Sequence, residues 1–171
     1  MRPGRPGRRA GWALASALLV TAPLRAEGGA LLALSAGGFE VDDSTHRAAE
    51  LGLQWRGGGH WWVFHPMAGG MVTHKGSCNL YAGFSFDLPL GSRLVLRPSF
   101  APGYYNKGSG KDLGDPLEFR SGIEVGWRFS NGTLLGLEFN HISNASLGDR
   151  NPGANSLIAM VTIPAARLLG H

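Results

Sequence analysis

Between Glu118 and Phe129 the side chains alternate without a break. Phe119, Ser121, Ile123, Val125, Trp127 and Phe129 fall on one parity, and Glu118, Arg120, Gly122, Glu124, Gly126 and Arg128 on the other. A period of two places successive residues on opposite faces of a β-strand. A soluble sandwich alternates too. Here, however, the polar face interleaves two Arg and two Glu with glycine, which suits a narrow lumen of paired charges behind an exterior that faces lipid.

Asn131-Gly132 follows directly, a strong signal for a tight hairpin in which both residues take positive φ. The next segment therefore returns antiparallel, with Leu135, Leu137 and Phe139 on its apolar face and His141 and Ser143 continuing that face. Leu80, Ala82, Phe84, Phe86 and Leu88 repeat the pattern against Asn79, Tyr81, Gly83, Ser85 and Asp87. Eight such runs lie near residues 30–40, 46–56, 60–71, 77–88, 92–105, 116–129, 133–143 and 155–164. An even number of strands near ten residues each predicts an all-β fold, an eight-stranded antiparallel transmembrane β-barrel of the outer-membrane kind.

Turns at Gly57-Gly58-Gly59, Leu90-Gly91-Ser92 and Asn131-Gly132 are short, whereas the connections at 41–45, 73–76, 106–115 and 144–154 are generally longer. Short turns belong to the periplasmic end, so the His141 and Ser143 end of the seventh run faces the outer leaflet. Trp55, Trp61, Trp62, Tyr104 and Tyr105 fit aromatic girdle positions.

Residues 1–26 read as a secretory signal peptide, with four Arg before an apolar run from Ala10 to Pro23 and a small residue at Ala26. Fourteen apolar residues are too few for the roughly 20 that a spanning helix needs. This leader holds 5 of the 16 Lys and Arg and none of the 12 Asp and Glu, so residues 27–171 carry 11 − 12 = −1. The basic balance of the whole chain therefore gives no support for a nucleic-acid partner. A single cysteine, Cys78, excludes an intramolecular disulfide.

His141-Ile142-Ser143 places an imidazole and a hydroxyl at i and i+2, on one face of a strand about 7 Å apart. Asn155, Leu157, Ala159, Val161 and Ile163 share one parity of the last run, so Asn155 also points outward and can converge with the pair. A polar cluster facing lipid costs free energy unless it is satisfied, which marks a candidate site. His46, His60, His65, His74 and His171 lack a spacing that gathers three metal ligands.

From Leu117-Glu118-Phe119-Arg120 through His141-Ile142-Ser143-Asn144-Ala145 to Asn151-Pro152-Gly153-Ala154-Asn155, the chain resembles the bacterial lipid A 3-O-deacylases (PagL-like). These are outer-membrane barrels that hydrolyse the ester-linked acyl chain at position 3 of lipid A. The resemblance implies Ser143 as nucleophile, His141 as general base and Asn144 as a contributor to the oxyanion site, with Asn151 a weaker candidate for that donor. It implies no cofactor, and lipid A or lipopolysaccharide in the outer leaflet as the partner. It says nothing of oligomeric state.

At the position of the family's acid this chain has Asn155 instead of Glu. An amide carbonyl accepts from the imidazole but brings no full charge, and Asp149 in the same loop is a candidate substitute. Two rivals to the esterase remain open. One is a non-catalytic structural or adhesion barrel that has lost its triad acid; the other is an acyltransferase with an apolar lumen, against which the inward Arg and Glu argue.

Overall fold

The structure, a computed structural model, describes residues 29–58 and 64–168. The expected signal peptide lies outside the described residues, as do His60, Trp61, Trp62 and His171. The chain runs through β1 (Leu31–Phe39), β2 (Ala48–Arg56), β3 (Phe64–Thr73), β4 (Cys78–Phe86), β5 (Leu88–Leu90), β6 (Leu94–Asn106), β7 (Leu117–Arg128), β8 (Leu134–Ser143) and β9 (Ala154–Pro164), then one helical turn, α1 (Ala165–Leu168).

Every pairing is antiparallel, in the order β4-β3-β2-β1-β9-β8-β7-β6-β5, and the β4–β6 pairing closes the sheet. The result is the expected eight-stranded barrel. β5 is a short continuation beyond Asp87 that pairs Leu88–Leu90 with Leu94–Leu96. Asp87 breaks the run because its carboxylate turns to the guanidinium groups of Arg97, at 2.9 Å, and Arg128, at 3.2 Å.

Closure satisfies backbone groups that lipid cannot, and the side chains obey the predicted parity. Leu51, Leu80, Val125, Leu135, Leu137 and Leu157 are exposed on the outside, while Glu50, Arg56, Arg97, Arg120, Glu124 and Glu138 are buried inside. Within the lumen Arg56 and Arg97 meet Glu124 at 2.9 and 3.0 Å, and Arg120 meets Glu138 at 2.6 Å. The Arg120 guanidinium also lies 4.8 Å from the centre of the Tyr81 ring.

The lumen is less uniformly charged than its sequence suggests. Phe39, Ala48, Met71, Tyr105, Leu113, Ile142 and Ala154 form an apolar plug at the end carrying the long loops. Tyr105 therefore belongs to the core, stacked 6.3 Å from Phe39 with its hydroxyl donating to the Lys111 carbonyl, and is no girdle residue. Tyr104 does face outward.

The Asn131-Gly132 hairpin forms, but not as a two-residue turn with two positive φ values. Gly132 alone takes positive φ, at 82°, while Asn131 uses its side chain to accept from the Thr133 N–H at 2.9 Å. Gly132 donates to the Phe129 carbonyl and Phe129 to the Thr133 carbonyl, making a wider turn closed by a glycine bulge.

Candidate active site

β8 carries His141 and Ser143 on its outward face, with Ile142 between them driven into the plug at 1% exposure. That inward anchor fixes the heights of its two neighbours. His141 stands directly opposite Asn155 of β9 and Ser121 of β7, and Ser143 opposite Phe119. The convergence expected from parity is thus realised: His141 Nδ1 and Asn155 Oδ1 are 2.7 Å apart.

No hydrogen bond joins Ser143 to His141 among the described residues. Serine–imidazole bonds in unliganded hydrolases are often long and tighten only on substrate. The i, i+2 placement leaves the imidazole able to lean toward the hydroxyl.

Asn155 is held on every side. Its N–H donates to Glu40 Oε1 at 3.1 Å, its carbonyl accepts from the Val41 N–H at 3.1 Å, and its Nδ2 donates to Asp42 Oδ2 at 2.7 Å. Glu40 is itself buried and spends its other oxygen on Lys111 Nζ at 2.6 Å. The chain turns there through a φ of 56°, rare for a residue with a Cβ.

Asn144 is fully buried, and both hydrogens of its amide are committed, to the carbonyls of Leu113 at 3.0 Å and Arg150 at 2.7 Å. Its Oδ1 accepts from Ser146 N–H and its own N–H donates to Asn151 Oδ1, each at 3.0 Å. The side chain expected at the oxyanion therefore ties the 107–116 loop to the 144–153 loop and holds Ala145 and Ser146 in left-handed conformations, at φ 52° and 63°. Asn151 is exposed, and its Nδ2 has only a distant contact of 3.5 Å with Ser146 Oγ. Asp149 is exposed and forms no hydrogen bond or ion pair with His141 among the described residues.

Gly153 supports the imidazole from the loop side. It has a φ of 62°, and a Cβ there would sit 2.7 Å from His141 Cε1 and 3.2 Å from Nε2. The long loops carry two more local clasps. The hydrogen bond from His46 holds the Asp43 carboxyl below its usual 3.8, and that from Lys107 does the same for Asp112.

Nothing along the sequence marks Glu40 or Asp42, and Gly153 reads there only as part of the Asn151-Pro152-Gly153 motif. Glu40 and Asp42 lie more than a hundred positions before Asn155, and no spacing rule connects them. Only the β1–β9 pairing of Phe39 with Ser156 brings them together. No group of three metal-ligating side chains occurs among the described residues.

The family model for lipid A 3-O-deacylase (PagL) matches residues 34–164. Among solved structures, the crystal structure of the outer membrane enzyme PagL is similar with a TM-score of 0.62 at 23% identity, over 78% of this chain and 99% of that one. De novo designed transmembrane β-barrels give 0.57 at 10% identity, over 79% and 93% of the two chains. Neisserial surface protein A gives 0.53 at 13%, over 80% and 97%. No curated protein sequence matches this chain.

Proposed function

Because the chain belongs to the lipid A 3-O-deacylase family, we propose that it is a serine esterase that removes the 3-O-linked acyl chain of lipid A from the outer face of its barrel. The observation that carries the mechanism is the outward-facing His141 and Ser143, with the imidazole held by Asn155 at the end of the strands that carries the long loops.

In the first step the Ser143 hydroxyl attacks the ester carbonyl while His141 Nε2 takes its proton. A tetrahedral oxyanion forms, and each aimed donor there contributes roughly 2.7 to 4 kcal/mol. We assign the donor to Asn151 Nδ2, the amide with hydrogens to spare, and to Asn144 the task of positioning Asn151 through its backbone N–H. The imidazolium then protonates the departing sugar oxygen, and water releases the acyl-enzyme by the reverse proton path.

The acyl chain lies along apolar wall. Leu135, Leu137 and Phe139 run down β8 beneath the dyad, and Phe119, opposite Ser143, stacks on Phe100 at 5.9 Å. An acyltransferase with its chain inside the barrel is disfavoured, since that space holds buried ion pairs and a packed plug. A purely structural barrel needs no outward serine two residues from a histidine that an amide oxygen holds at 2.7 Å.

Mass spectrometry of lipid A from cells producing the protein tests this. Loss of one hydroxyacyl group from position 3 is expected, and Ser143→Ala at equal membrane abundance should leave lipid A intact. Unchanged lipid A with correctly inserted wild-type protein would overturn the esterase and favour the structural barrel.

A further inference from the structure

We infer that Asp42, in the loop between β1 and β2, is the carboxylate of this site, acting on His141 through the Asn155 amide. This rests on the esterase reading above.

Hydrogen-bond inventory fixes the direction of the chain. A carboxylate only accepts, so the amide atom 2.7 Å from Asp42 Oδ2 is the donating Nδ2. Asn155 Oδ1 then faces the imidazole at 2.7 Å, and because that oxygen only accepts, His141 Nδ1 must carry the proton. The lone pair of the neutral ring is left on Nε2, the nitrogen beside Gly153 and the one the base needs. With no partner on its Nδ2, the Asn155 amide would be free to turn over and select the opposite tautomer. Asp42 prevents that.

The turn that delivers Asp42 is built for the purpose. Glu40 takes a left-handed φ and buries its carboxylate between the Asn155 backbone N–H and Lys111, while the Asn155 side-chain amide turns to Asp42. Arg47 donates to the Val41 carbonyl and Val41 donates to Asn155, so the residues flanking Asp42 are pinned to β9 and to their own loop. Asp42 has no cation partner among the described residues. Its charge is therefore free to act on the positive imidazole that forms when Nε2 takes the Ser143 proton. The Nδ1 proton stays in place throughout, Asp42 stays ionised, and the proton on Nε2 leaves with the sugar oxygen. A carboxylate one residue short of the ring, bridged by an amide, takes the place of one in direct contact.

The test compares Asp42→Ala in the wild-type and Asn155→Glu backgrounds, using full-length protein folded in detergent, purified lipid A as substrate and ¹⁵N imidazole spectra of His141. In the wild-type background Asp42→Ala is expected to lower kcat about 10-fold with KM unchanged, the scale of one charge acting across two hydrogen bonds near a wet surface. In the Asn155→Glu background, where the introduced side chain brings its own carboxylate to the imidazole, the same change is expected to cost less than about 2-fold, since the two groups serve one function. The spectra should show the Nδ1–H tautomer in wild type and a mixture in Asp42→Ala. Equal losses in both backgrounds would mean that Asp42 only packs the loop, and an Nε2–H tautomer in wild type would overturn the relay outright. If wild-type protein fails to cleave lipid A, the esterase falls, and the spectra still decide the relay.

Discussion

Replacing Gly153 by alanine tests the geometry of the site most sharply, because it adds one methyl group and touches the histidine directly. The new Cβ would lie 2.7 Å from His141 Cε1, whereas ordinary contact begins at 3.4 Å, so the ring must retreat by about 0.7 Å. The imidazole cannot move that far without stretching or bending its 2.7 Å hydrogen bond to Asn155. A misplacement near 1 Å costs about 100-fold in rate, so kcat should fall between about 10- and 100-fold. KM should change little, since the ring does not hold the acyl chain. The left-handed φ of 62° adds about 1 to 2 kcal/mol of backbone strain, which a closed barrel can absorb. The assay is steady-state release of the acyl chain from lipid A in micelles, normalised to folded barrel. Gly148→Ala in the same loop is the control, because its Cβ meets nothing nearer than 3.3 Å, at Asp115, and needs no positive φ. A Gly153→Ala enzyme within 2-fold of wild type would refute the claim that this loop sets the imidazole.

Asn144→Ala should strip the Leu113 and Arg150 carbonyls of their donor and loosen both outer loops, at a cost of about 2 to 3 kcal/mol, read as faster protease cleavage at the 107–116 and 144–153 loops. Glu138→Ala leaves Arg120 buried without its carboxylate and should lower the unfolding free energy by about 3 to 5 kcal/mol in a denaturant titration. Activity per folded molecule should be retained, because the pair lies inside the barrel. The depressed carboxyl groups of Asp43 and Asp112 favour the folded loops above the unfolded value of 3.8, and that contribution is lost as pH falls below it. Asp112 is exposed and Asp43 half-exposed, so limited proteolysis of the long loops should rise on acidification from about pH 5 to pH 3, and less so in high salt.

Much of this protein is legible in its residues because strand physics is local. Alternation alone assigns Leu135, Leu137 and Phe139 to the outside and Glu124 and Glu138 to the lumen, and the structure agrees. The same parity places His141, Ser143 and Asn155 on one face, since each depends only on its position along its own strand. Sequence patterning is mute where a role is set by hydrogen-bond partners from distant loops. Asn144 reads as a free amide until the carbonyls of Leu113 and Arg150 are seen to occupy it. Tyr105 reads as a girdle residue until Phe39 and Leu113 are found packed beside it. The Asn131-Gly132 turn is clear as a turn, but its type depended on Asn131 spending its side chain on Thr133.

The barrel and the outward His141–Ser143 pair follow from the order of residues alone, because a period of two and the spacing of the turns need no knowledge of neighbours. The company those residues keep is set by the folded barrel. Barrel closure sets β1 beside β9, and that pairing alone carries Glu40 and Asp42 to Asn155 across more than a hundred residues of chain. A hydrogen bond depends on separation in space, and no pattern along the chain records it.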